Sequence, residues 1–173
     1  IETNNSSNVI FSKVIDWNKK GGRIDYKVDD RNFSKVVWEW NAEGSSGYTA
    51  PTAGMKEAST TSGYESLAEE GYRVGILRAY DMAGNSTSVL VQVKVDRTAP
   101  SLSFTNPMDW TWTNQDVAFT VNSSDSISGI EGYHYSYDNV NYYRDVKDMV
   151  FSAERDNTAY IRVCDNAGNC TTK

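Results

Sequence analysis

The chain has 173 residues and a formal net charge of -6, and its only basic doublet is Lys19-Lys20. Without a basic stripe it cannot displace counterions from phosphate, which excludes nucleic acid as a partner class. A hydrophobic fraction of 39%, with 11 Tyr and 5 Trp, excludes general disorder, and the lack of any 18-residue apolar run excludes helical membrane insertion.

The chain opens on Ile1 without a signal-peptide pattern, as expected of a mature or excised piece. Ile24, Tyr26 and Val28 alternate and read as a strand, because side chains two apart share a face. Trp38-Glu39-Trp40-Asn41 reads as another strand, with both indoles turned to the core. A Ser/Thr/Gly-rich excursion follows over Glu43 to Gly63. Glu65 to Glu70, closed by Gly71, is expected to form a one-turn helix. Val89, Val91, Val93 and Val95 make the clearest alternation, with Ser88, Gln92 and Lys94 pointing the other way. That strand ends near Asp96-Arg97-Thr98-Ala99-Pro100, where Pro limits further pairing. The expected domains are 1–97 and 98–173, joined by a short, semi-rigid junction.

The second half repeats the first. Arg78 to Ser86 aligns with Arg162 to Cys170 through a shared Asp-x-Ala-Gly-Asn. Trp38 to Asn41 aligns with Tyr135 to Asp138, and Ile24, Tyr26 and Val28 align with Val117, Phe119 and Val121. Each copy offers about six or seven short strands, the pattern of an antiparallel sandwich. The last strand of the second copy is expected to be incomplete, since the chain stops at Lys173.

These segments resemble the bacterial immunoglobulin-like (Big-type) repeats found in tandem on surface and secreted proteins. Such repeats carry D-x-A-G-N in the last hairpin, here Asp81 to Asn85 and Asp165 to Asn169. They carry V-D-x-T-A-P at the junction, here Val95 to Pro100. Residues 1–70 match less well. The resemblance implies an all-β chain of two tandem antiparallel Ig-like β-sandwiches. It also implies a non-catalytic, extracellular spacer or adhesion role in a secreted or cell-wall-attached bacterial protein. Its partners would be neighbouring domains of the same polypeptide, and a host protein or glycan held on loops.

The hairpin motif carries a geometric consequence. Asp81 and Asp165 open a three-residue turn in which Gly84 and Gly168 take the left-handed position, while Asn85 and Asn169 close it. Cys164 then faces Cys170 across the strands, within reach of a disulfide on the outer face. Tyr80 and Ser86 hold those places in the first copy. The other reading, a redox or metal thiol pair, lacks both the C-x-x-C spacing and a second ligand pair.

In an Ig sandwich Asp125 and Asp165 share one pole, which in a tandem chain faces the far end of the preceding module. Glu69, Glu70 and Asp96 are expected near it, and five converging oxygen donors suit Ca²⁺. The plainer reading makes the same residues turn caps; no other cofactor is expected. The single histidine, His134, should point away from Tyr133, Tyr135 and Tyr137 and have no catalytic role. No Ser-nucleophile elbow, Walker loop or His-Glu-x-x-His occurs, so no enzyme is expected. The alternative is an accessory carbohydrate-binding module of a secreted glycosidase, with Trp17, Trp110 and Trp112 as stacking platforms.

Overall fold

Alternating apolar residues pair into strands throughout, and no helix forms among the described residues. The structure, a computed structural model, describes residues 13–41, 52–105, 112–144, 147–152 and 158–173. It divides into two compact units, Ile1–Val95 and Asp96–Lys173, so that Asp96 and Arg97 fold with the second.

The first unit contains β1 (Lys13–Asn18), β2 (Gly22–Lys27), β3 (Phe33–Asn41), β4 (Thr52–Ala58), β5 (Ser62–Leu67), β6 (Gly71–Asp81) and β7 (Ser86–Val95). One sheet runs β1-β7-β6-β3-β4 and the other is the pair β2-β5. Between them Ile24 and Leu67 meet Val36, Trp38, Leu77, Val91, Val93 and Val95. Each buried valine of β7 contributes roughly 1.5–3 kcal/mol relative to exposure. Trp40 packs against the rim of this core. Glu65 is buried on β5, and its Oε2 accepts from Lys56 Nζ of β4 at 3.0 Å, an ion pair between the two sheets.

Three expectations change here. Glu65 to Glu70 is not helical, because β5 pairs residue for residue with β2 and turns Glu65 and Leu67 inward. A single isolated helical turn cannot match six paired residues. The excursion Glu43 to Gly63 carries β4 and the start of β5, while 42–51 lies outside the described residues. Finally, β1 runs parallel to β7, whereas every other pairing among the described strands is antiparallel. The Asn18 side chain holds the bend that sends the chain from β1 to the other sheet: its Oδ1 accepts from Lys20 N and Gly21 N, and its Nδ2 donates to Lys94 O.

The second unit contains β8 (Ser103–Thr105), β9 (Val117–Asn122), β10 (Ile130–Ser136), β11 (Tyr143–Arg144), β12 (Asp148–Phe151), β13 (Tyr160–Asp165) and β14 (Cys170–Thr172). Its sheets are β11-β10-β13-β14 and β12-β9-β8. Leu102, Val121, Met149, Ile161 and Val163 form the core. Phe119 packs edge-on to Phe104 at 5.5 Å and tilted to Phe151 at 5.9 Å. Both units are therefore β-sandwiches, each with its own core.

Corresponding residues have corresponding partners in the two units. Trp38 faces Leu77 across β3 and β6, as Tyr135 faces Ile161 across β10 and β13. Tyr80 faces Ser86 where Cys164 faces Cys170.

Candidate functional site

Both closing hairpins are organised by one carboxylate. Asp165 N donates to Asn169 O at 3.0 Å, and Gly168 N donates to Asp165 O at 3.1 Å. Asp165 Oδ1 accepts from Ala167 N and Asn169 N, while Oδ2 accepts from Asn169 Nδ2 at 2.6 Å. Asp81 makes the same bonds to Ala83 N, Asn85 N and Asn85 Nδ2. Gly84 and Gly168 close the turns at φ 86° and 83°, a region that L side chains avoid. A further link repeats as well: Met82 N donates to Asn32 O, and Asn166 N to Gly129 O. Each closing turn is thereby tied to the loop after the second sandwich strand.

The surroundings of the two aspartates differ. Asp81 is half-buried, beside a shallow depression that Asp29 and Asp30 also line. Asp165 is only 1% exposed, and its carboxylate meets those of Asp96 and Asp125. Oxygens of these three residues all lie within 4.8 Å of one another. Asp96 is 0% exposed; its Oδ1 accepts from Thr98 N, its Oδ2 from Ser128 N, and its carbonyl from Asn169 Nδ2. Asp125 Oδ1 accepts from Ile127 N, Ser128 N and Gly129 N. Among the described residues no lysine or arginine pairs with any of the three. Like charges that close repel one another, which the converging N–H donors oppose.

The three grouped carboxylates all belong to the second unit. Glu69 and Glu70 belong to the first, where Glu69 pairs with Arg73 at 3.4 Å.

Similarity to known proteins is confined to solved structures. The chain is similar to the fibronectin(III)-like modules of CbhA from Clostridium thermocellum, with 15% identity and a TM-score of 0.40 over 94% of this chain and 87% of that one. It is also similar to the N-terminal four Ig domains of Dscam1 isoform 1.9, with 12% identity and a TM-score of 0.38 over 96% of this chain and 43% of that one. No family model and no curated protein matches the chain.

Cys164 and Cys170 form a disulfide, with Cys170 exposed. The bond closes a short loop, and Tyr80 and Ser86 keep the same register without one. Replacing both cysteines by serine is therefore expected to cost the second unit about 2 kcal/mol at most and to leave its fold intact. Urea unfolding would show it; complete unfolding of that unit in buffer would contradict the expectation.

Two exposed turns carry carboxyls held below the usual aspartate range. For Asp81 the Asn85 side-chain amide is the chief cause, aided by turn N–H groups. For Asp138 the chief cause is the Asn141 N–H, followed by Val140 N–H, the Asn141 amide and the Ser136 hydroxyl. A depressed folded pKa contributes stability above the unfolded value and loses it as the pH falls through the folded one. The Asn85 and Asn141 amide resonances should thus titrate with midpoints below pH 3.8. A midpoint at or above 3.8 would contradict this.

His134 lies across from Arg144 and Arg162 in the sheet, and its Nε2 accepts from Arg144 Nε at 3.4 Å. Trp17 is half-buried with Lys94 Nζ 6.0 Å from its ring centre, and Trp112 is 81% exposed. Trp110 lies outside the described residues. Sequence reasoning missed an aromatic cluster in which Tyr135 lies 5.6 Å from Tyr137 and 5.4 Å from Tyr143. Both outer rings are exposed. The signal was the alternation Tyr133, Tyr135, Tyr137 ahead of Tyr142-Tyr143.

Proposed function

We propose that the chain is a non-catalytic pair of spacer or adhesion modules from a bacterial surface or secreted protein. The observation that carries this reading is the rebuilt closing half of the sandwich: equivalent residues, equivalent strand register and equivalent turn bonds recur in two units with separate cores. Repetition of a self-sufficient folded unit sets distance and presentation; it adds no reacting group. The disulfide of the second unit suits the oxidising conditions outside a cell.

The test places the chain between two fluorescent proteins and exposes the fusion to trypsin. Expected are low energy transfer and survival of both units, although the chain offers 17 Lys and Arg. Prompt cleavage inside the strands, or transfer equal to that of a flexible linker of the same length, would defeat the proposal. So would turnover in a screen of glycoside, ester and peptide substrates.

One observation favours the second reading, an accessory carbohydrate-binding module: Trp112, Tyr137 and Tyr143 present exposed aromatic faces. Sugar rings stack on such faces. A glycan array on which Tyr137→Ala and Tyr143→Ala abolish a wild-type signal would establish it, and a blank array would remove it.

A further inference from the structure

We propose that Asp96, Asp125 and Asp165 bind a calcium ion within the second unit, with the Ser128 hydroxyl at the edge of the same site. The donors come from three separate segments: the stretch entering β8, the loop between β9 and β10, and the turn between β13 and β14. All are hard oxygens, the donors that Ca²⁺ prefers, and neither histidine nor thiolate accompanies them. Calcium–oxygen bonds of about 2.3–2.6 Å let two ligands sit on opposite sides of the ion at a separation near 5 Å. The observed spread, within 4.8 Å, fits that sphere.

Turn capping explains only part of the arrangement. Asp81 makes the same three turn bonds as Asp165 while only half-buried and, among the described residues, outside any such carboxylate group. The hairpin therefore requires neither the full burial of its aspartate nor two further acids beside it. Asp96 accepts two bonds on its carboxylate, fewer than the roughly four positions that its lone pairs offer.

Ser128 is an independent sign. It is 8% exposed, and its Oγ is buried without a hydrogen-bond partner. Its own N–H is shared between Asp96 Oδ2 at 3.0 Å and Asp125 Oδ1 at 2.9 Å. The orphaned hydroxyl is three bonds from that nitrogen, so it lies near the two carboxylates, with neither as its hydrogen-bond partner. A buried hydroxyl without a partner is costly, and a cation seated among the carboxylates would supply one. The site lies inside one unit and does not depend on the module reading above.

The full chain, stripped with a chelator and titrated with CaCl₂, provides the test by calorimetry and by amide resonances. Expected are saturable binding and shifts at Ile127, Ser128, Gly129, Ala167 and Asn169, with Ala83 and Asn85 of the other closing turn unmoved. Asp125→Asn keeps an oxygen for the loop N–H groups and removes one charge. It should weaken binding by about tenfold or more. Ser128→Ala removes only the orphaned hydroxyl; it should fold as the wild type in chelator and bind calcium more weakly. Absence of binding at millimolar CaCl₂ would overturn the proposal. So would equal shifts in both closing turns, unchanged affinity in Asp125→Asn or Ser128→Ala, or tighter binding of MgCl₂ than of CaCl₂.

Discussion

Gly75→Ala should destabilise the first unit by about 3 kcal/mol, the upper part of the range for forcing atoms into a packed core. An added Cβ would lie 2.0 Å from Cη2 and 2.5 Å from Cζ2 of the Trp38 ring. That ring is 1% exposed and packs among Val36, Leu77, Val91 and the rest of the core, so it has nowhere to retreat. The bare backbone of β6 is what admits an indole between the sheets. Urea unfolding followed by tryptophan emission measures the loss. A second variant locates its cause: Trp38→Phe alone opens a cavity, yet combined with Gly75→Ala it should restore part of the stability. A loss below about 1 kcal/mol, or strictly additive effects, would show that the indole does not depend on that space.

The second large effect separates two turns of the same chemistry. Asp165→Ala removes a buried carboxylate that accepts at 2.9, 2.7 and 2.6 Å from three donors, Ala167 N part-buried and Asn169 N and Nδ2 buried. Water does not replace them there, and each unpaired buried donor costs about 1–3 kcal/mol. Relief of repulsion from Asp96 and Asp125 returns part of that, which leaves a net loss of about 2–4 kcal/mol in chelator. Asp81→Ala deletes the equivalent bonds at an exposed turn, where water takes the vacated places, so its loss should be several-fold smaller. Chemical unfolding of both variants in chelator decides the matter. Equal losses would mean that burial is not what distinguishes Asp165.

Much of this follows from local pattern. A period of two along Val89 to Val95 puts all four valines on one face, because the pleat alternates faces; Val91, Val93 and Val95 are buried there, while Val89 is 38% exposed. The disulfide was equally legible: the tight turn from Asp165 to Asn169 determines what stands opposite Cys164, and that is a matter of a few bonds. Local reasoning failed at Glu65 to Glu70, where helix-favouring residues are held extended by pairing with β2, some forty residues earlier. It failed likewise for β1, which pairs in parallel with β7, a strand more than seventy residues later in the chain.

By itself, then, the sequence determined strands, turns, two sandwich cores and the cysteine bridge, since each depends on alternation or on neighbours within one hairpin. Only the tertiary structure decided that the Trp38 indole lies over Gly75, that Tyr143 lies against Tyr135, and that Asp165 is fully buried where its counterpart Asp81 is half-buried. Those outcomes depend on the distance between segments far apart in the chain. Packing of the two sheets sets that distance, and no local period encodes it.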